Sequence, residues 1–223
     1  FKIKKSLRIH WLSELRKLKN KNWKDIYHLV ILPCYKEGYS IIKESLDSLK
    51  ASDYPKEKIM VVLAIEERAG SEGKKIAEKI TKEYAGTFFE FMVVFHPGNI
   101  PGEIAGKGSN VAYAGGVAKE KILDRLNIPH RDIIVSSFDI DTKVYPQYFS
   151  CLTWHYITQK KPERASYQPI PVYNNNIWKA TFFARVVATS NTFWQMIQQE
   201  RAEKLTTYSS HAIPASVFFE VGY

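Results

Sequence analysis

Four apolar runs constrain this chain more than any other feature: YHLVILPC at 27–34, KIMVVLAI at 58–65, FFEFMVVFH at 88–96 and DIIVSSF at 132–138. Continuous runs of this length suit strands buried on both faces. Between them the apolar residues change period. Ile41, Ile42, Leu46 and Leu49 recur at steps of one to four, and GSEGKKIAEKITKEYA (70–85) and VAYAGGVAKEKILDRL (111–126) read as helices in the same way. Strands that alternate with helices are joined by right-handed crossovers. The expected fold class is therefore α/β, a doubly wound and mostly parallel sheet flanked by helices.

The second part of the chain is less regular. Residues 146–159 predict a helix, 165–172 a strand, 177–203 a long helix rich in aromatics, and 206–223 a loop with a short strand. Trp154, Trp178 and Trp194 are core candidates at or within these helices. His155 reads as a packed or surface residue, and the reading of His211 stays open.

Net charge of +9 suggests a nucleic-acid partner until it is located. Residues 1–25 hold nine Lys/Arg against Glu14 and Asp25, so most of the excess belongs to this segment and the remainder is nearly balanced. That distribution argues against a nucleic-acid-binding face. The division expected is a basic N-terminal segment, 1–25, and a domain over 26–223. Within the first, Ile3, Leu7, Trp11, Leu15 and Leu18 stand at helical spacing, which predicts one amphipathic helix that lies on an anionic membrane surface or packs on the domain. No run of 18 apolar residues occurs. Cys34 and Cys151 do not make a disulfide scaffold. The first residue is not Met, and both ends read as cut from a longer protein.

Polar residues gather where ligands bind an open parallel sheet, beyond the carboxyl ends of its strands. PCYKEG (33–38) follows the first run, EERAG (66–70) the second, HPGNIPGEIAGKGSN (96–110) the third, and DID (139–141) the fourth. Pro33, Tyr35 and Glu37 could make a strand-ending turn, or offer a ring and an acceptor to a base or ribose. Glu66 could accept from a base N–H. In the glycine-containing loop, Lys107 supplies a cation for phosphate oxygens, and Asn110 is a ready N-cap for the helix that follows. Asp139 and Asp141 repel one another unless a cation is shared, and two hard oxygen ligands suit Mg²⁺ or Mn²⁺ on a diphosphate. The bland alternative is a pair of solvated loop carboxylates.

Taken in order, Pro33-x-Tyr35-x-Glu37, an acidic residue closing the second strand, Gly106-Lys107-x-x-Asn110 and Asp139-x-Asp141 resemble the family 2 glycosyltransferases of the GT-A fold, over roughly 27–149. QPIPVYNNNIW (168–178) looks like the branch with membrane-embedded partners. The resemblance implies an inverting transfer of sugar from a nucleotide-sugar, a UDP-sugar by expectation, to a glycan or lipid acceptor. By the same likeness Pro33, Tyr35, Glu37, Glu66, Lys107, Asn110 and Asp139 would hold the donor, and Asp139 and Asp141 the metal. The domain would work at the cytoplasmic face of a membrane, as the cytosolic part of a larger membrane protein. HAIPASVFFEVGY (211–223) looks like the acceptor-loop region, and the general base is expected beyond Tyr223, Glu220 being the nearby carboxylate. Two other readings are a nucleotide-binding fragment without catalysis and a metal-dependent nucleotidyltransferase. The second should place a Gly-rich motif after the first strand, where PCYKEG is poor.

Overall fold

The computed structural model describes residues 2–19, 22–173, 177–201 and 210–221. In chain order its elements are α1 (Lys2–Ser6), α2 (Trp11–Lys17), β1 (Tyr27–Cys34), α3 (Tyr39–Lys50), β2 (Ile59–Glu66), α4 (Gly70–Tyr84), β3 (Glu90–His96) and α5 (Lys107–Ala118), which runs on through a π-helical turn, Lys119–Asp124. Then follow β4 (Ile133–Ser137), α6 (Tyr148–Thr158), α7 (Phe182–Gln198), β5 (His211–Pro214) and α8 (Ala215–Glu220).

The sheet has the order β3-β2-β1-β4-β5. Its first four strands are parallel, with Val30 opposite Val61 on one side and Ser136 on the other. The chain steps outward from β1 to β2 to β3, then returns to the far side of β1, so the order reverses between β1 and β4. At such a reversal the two strand-end loops diverge and leave a crevice.

Alternate residues of each strand enter different layers, because successive side chains point to opposite faces. Val30, Leu32, Leu63 and Ile65 pack with α3 and α4 through Ile42, Leu46 and Ile80. Leu29, Ile31, Met60 and Val62 pack with α5 through Val111, Ala114 and Ala118. Every residue of β2 is buried. Each Leu or Ile there contributes on the order of 1.5–3 kcal/mol through loss of apolar surface to water. On the second face α8 lies so close to α5 that a Cβ built on Gly115 would overlap the Phe218 ring.

Several sequence expectations change. The single N-terminal helix becomes two, broken over residues 7–10, since Trp11 and Leu15 bury themselves on the domain while Leu7 stays exposed. The Trp11 ring meets Trp154 and His155 at centroid distances of 5.3 and 5.4 Å, its indole N–H donates to Ser6 O at 3.2 Å, and the Trp11 backbone N–H donates to Gln147 Oε1 at 2.8 Å. The strand expected over 165–172 is reduced to one bridge, Tyr167 with Ala212. Pro169 and Pro171 have no N–H to extend it. The helix expected from 177 starts its α-helical part at Phe182, after a short 3-10 turn at Ile177–Lys179, and residues 202 and 203 lie outside the described residues. Trp178 and Trp194 are exposed rather than core. The segment likened to an acceptor loop is built into the sheet as antiparallel β5 and then forms α8.

Candidate functional site

Phe138 extends β4 by donating its N–H to Ile31 O at 3.2 Å, and Phe138 and Ile140 are both buried. Beyond Phe138 the chain turns, the Thr142 N–H donating to Asp139 O at 2.8 Å, and Asp139 and Asp141 come to stand on one side. That side is a cleft of about 410 Å³ lined by residues from all four strand-end loops. Pro33, Tyr35 and Glu37 come from the loop after β1, Glu66 from the end of β2, Lys107 and Asn110 from the first turn of α5, and Asp139 and Asp141 from the exit of β4.

Glu37 folds back on its own loop. Its Oε2 accepts from the N–H of Tyr35 at 2.8 Å and of Lys36 at 3.1 Å. Partial burial alone would raise its carboxyl, but these backbone donors and the Cys34 thiol outweigh it and hold the group below the usual carboxylate range. The same neighbourhood acts oppositely on Cys34, whose thiol is pushed up to about 12 by burial and by the Glu37 charge. Glu37 is therefore an anion that orders the turn, and it lines the cleft.

Glu66 is nearly buried and is paired with Arg68, whose guanidinium also lies over the Tyr35 ring, 4.2 Å from its centroid. Arg68 lines the cleft and was missed in the sequence, where a basic residue two after a strand-ending glutamate is its single signal. Ser210 was missed as well: its Oγ accepts from the Asp139 N–H at 3.2 Å. Gln168 Nε2 donates to Ser210 O at 3.0 Å, so QPIP is tied to the cleft wall through one intermediate residue.

Asn110 corrects an expectation. It is not the N-cap, because α5 begins three residues earlier at Lys107, and the capping position falls to Gly106. The Asn110 side chain is buried and its Nδ2 donates to Ala64 O at 2.9 Å, bolting the helix start to β2. The loop leading to α5 is fastened by Ser109, whose Oγ donates to the Ile104 and Gly106 carbonyls at 2.8 and 2.9 Å, and His96 Nε2 stands 2.6 Å from Glu103 Oε1.

Lys107 Nζ reaches Asp139 Oδ1 at 2.5 Å. Two carboxylates on one wall beside one cation do not make a closed protein cage. Among the described residues no cluster of three or more His, Cys, Asp or Glu gathers. The donor set fits a hard divalent cation whose shell is completed by phosphate and water, the mode in which Mg²⁺ keeps only one or two carboxylates. His211 sits on β5 opposite Ser137. His28 belongs to the core, beneath the sheet with Tyr54 and Phe149, each ring centroid 4.8 Å away.

Glu220 stands elsewhere. The neighbouring Phe219 ring is 5.1 Å from His130, in the turn that leads into β4, and antiparallel β5 has carried the chain from the cleft end of β4 to its other end. No carboxylate of α8 faces the cleft.

No protein-family model matches the chain, and no curated protein matches it. Among solved structures it is similar to the mannosyltransferase PcManGT from Pyrobaculum calidifontis in complex with GDP-Man and Mn²⁺, at TM-score 0.56 and 17% identity, over 95% of this chain and 53% of that one. It also matches S. aureus TarS 1-349 in complex with UDP-GlcNAc at TM-score 0.47 and 12% identity, over 88% and 47%. The chain spans about half the length of these two structures. The likeness to the mannosyltransferase agrees with the topology above: this is an α/β chain of the GT-A type, a five-stranded, mostly parallel sheet flanked by helices.

Proposed function

We propose that the chain is the donor-binding part of a metal-assisted, inverting glycosyltransferase that takes a nucleotide-sugar. The observation that carries the reading is the convergence of Tyr35, Glu37, Glu66, Lys107, Asp139 and Asp141, from four separate loops, on one cleft at the point where strand order reverses. The nucleotide-sugar and Mn²⁺ bound by the mannosyltransferase of similar fold support it.

In this reading Pro33 and Tyr35 face the base, with the Arg68 guanidinium stacked on the Tyr35 ring as the other half of the platform. Glu37 and Glu66 take base and ribose hydrogens as acceptors. Lys107 meets the diphosphate, and Asn110 serves it indirectly by holding the helix start that presents Lys107. Asp139 and Asp141 would hold Mg²⁺ or Mn²⁺, which when bound neutralises charge that builds on the departing diphosphate. An acceptor hydroxyl attacking from the opposite face needs a base within hydrogen-bond reach, and Glu220 is not placed for it.

A UDP-sugar is our choice of donor and a glycan or lipid hydroxyl our choice of acceptor, at the cytoplasmic face of a membrane. Calorimetric titration of UDP and then GDP, with and without Mn²⁺, into the protein and its Asp141→Ala variant tests the reading. Binding of UDP that requires metal and disappears in the variant is the expected result. Failure of both nucleotides to bind a folded sample under every condition would sink it, and tighter binding of GDP would move the donor to a guanine nucleotide.

A further inference from the structure

His96 closes β3, and its ring sits where strand, helix and loop meet. The side chain is almost fully buried, the Tyr113 ring of α5 meets it in a T-shaped contact at 5.1 Å, and Glu66 lies opposite on the neighbouring strand. Beyond it, residues 97–106 lead to Lys107 and hold glycine at 98, 102 and 106, so the segment has little stiffness of its own. A turn folds it back. The Glu103 N–H donates to Ile100 O at 3.2 Å, with Pro101 and Gly102 between them and Gly102 at φ +82°, the residues and the dihedral of a type II turn. That turn brings the Glu103 carboxylate to the imidazole, Oε1 and Nε2 standing 2.6 Å apart. The approach is bent from the ideal hydrogen-bond direction, but both atoms are sealed from solvent and neither has another partner among the described residues.

Two lone pairs repel at that distance in a place without water, whereas a proton on Nε2 makes the contact attractive and spares both atoms the cost of burial without a partner. We infer that His96 and Glu103 are positioning residues: through that proton they clasp the loop to the end of β3 and so fix Gly106 and Lys107 in the cleft. The inference rests on the donor reading, in which Lys107 meets the diphosphate, and His96 and Glu103 themselves stand outside the cleft lining. Their route to it is short. Glu103 precedes Lys107 by four residues, and Ser109 Oγ, on Ile104 O at 2.8 Å and Gly106 O at 2.9 Å, makes the stretch between them a folded unit rather than a slack tether. A second tie of the loop to the strand ends, the Gly98 N–H to Glu67 Oε2 at 3.4 Å, is long and exposed. Release of Glu103 would let Ile104, 90% exposed, and the residues up to Lys107 swing from the strand end together.

The test compares Glu103→Ala, which removes the acceptor, with Glu103→Gln, which keeps one for the Nε2 proton. Amide hydrogen exchange over residues 97–110 should quicken roughly tenfold in Glu103→Ala and return to the parent rate in Glu103→Gln, while β1 and β2 keep their protection. Calorimetry with Mn²⁺ should find UDP bound roughly tenfold more weakly by Glu103→Ala, and uridine, which has no phosphate, bound as by the parent. In a Lys107→Gln background Glu103→Ala should add little to the loss, because the charge that it positions is gone. Unchanged exchange in Glu103→Ala would overturn the clasp. Faster exchange with UDP affinity unchanged, equal weakening of UDP and uridine, or full additivity with Lys107→Gln would overturn the positioning role and leave the pair merely structural. If the parent binds neither UDP nor GDP, the donor reading falls and the positioning role with it, while the exchange measurement still decides whether the pair closes the loop.

Discussion

Lys107 Nζ lies 2.5 Å from Asp139 Oδ1, joining the first turn of α5 to the exit of β4 across the cleft. Both side chains are partly open to solvent, so the pair is worth only about 0–1 kcal/mol to folding. Lys107→Gln should leave the urea midpoint almost unchanged and weaken UDP or GDP binding by roughly tenfold, since one charge-assisted contact to phosphate is lost. Calorimetry beside an unfolding curve separates the two. A large stability loss with intact nucleotide binding would make the pair structural.

Asn110 makes the opposite prediction. Removing its amide leaves Ala64 O without that donor in a buried place, at a cost of about 1–3 kcal/mol. Asn110→Ala should therefore lower the urea midpoint clearly. A change below about 0.5 kcal/mol would show that Asn110 does not carry the start of α5.

Burial pushes the His28 imidazole from 6.5 down to about 3, with Nε2 2.8 Å from Thr153 Oγ1. Below about 6.5 the unfolded chain takes up a proton that the folded chain refuses. The stability is complete above that pH and is withdrawn as pH falls toward 3, by roughly 1.4 kcal/mol per unit from this group. Urea midpoints at several pH values should fall less steeply in His28→Leu than in the parent, whatever their absolute level. Parallel slopes would refute the assignment.

Gly115 of α5 stands directly against α8, and a side chain there meets the Phe218 ring. Gly115→Val should cost about 1–3 kcal/mol by overpacking. Combined with Phe218→Ala the costs should fall short of the sum, because the ring that clashes has gone. Strict additivity in thermal or urea unfolding would mean that the two helices separate rather than press.

Most of the sheet was legible in the sequence because a strand buried on both faces has to be apolar along its length, and β1 to β4 announce themselves that way. The strand-end residues were legible for a related reason: a polar cluster directly after such a run has few places to go except the crevice, and Tyr35, Glu37, Glu66, Lys107, Asp139 and Asp141 all line it. Asn110 was misjudged as a cap because the helix start was placed from its first strongly apolar residue, Val111, while glycines and a lysine extend it backwards.

What composition and period determined by themselves was an alternating α/β chain with a polar set at its strand ends, since those properties follow from which local stretches can be buried. Strand order, the antiparallel β5, the pairing of Lys107 with Asp139 across 32 positions and the outward rotation of α7 were decided only by the tertiary structure. Each depends on contacts between segments far apart in the chain. An amphipathic pattern says that a helix has an apolar side; that this side of α7 faces away from the protein while Gln195 is buried is visible only in the folded chain.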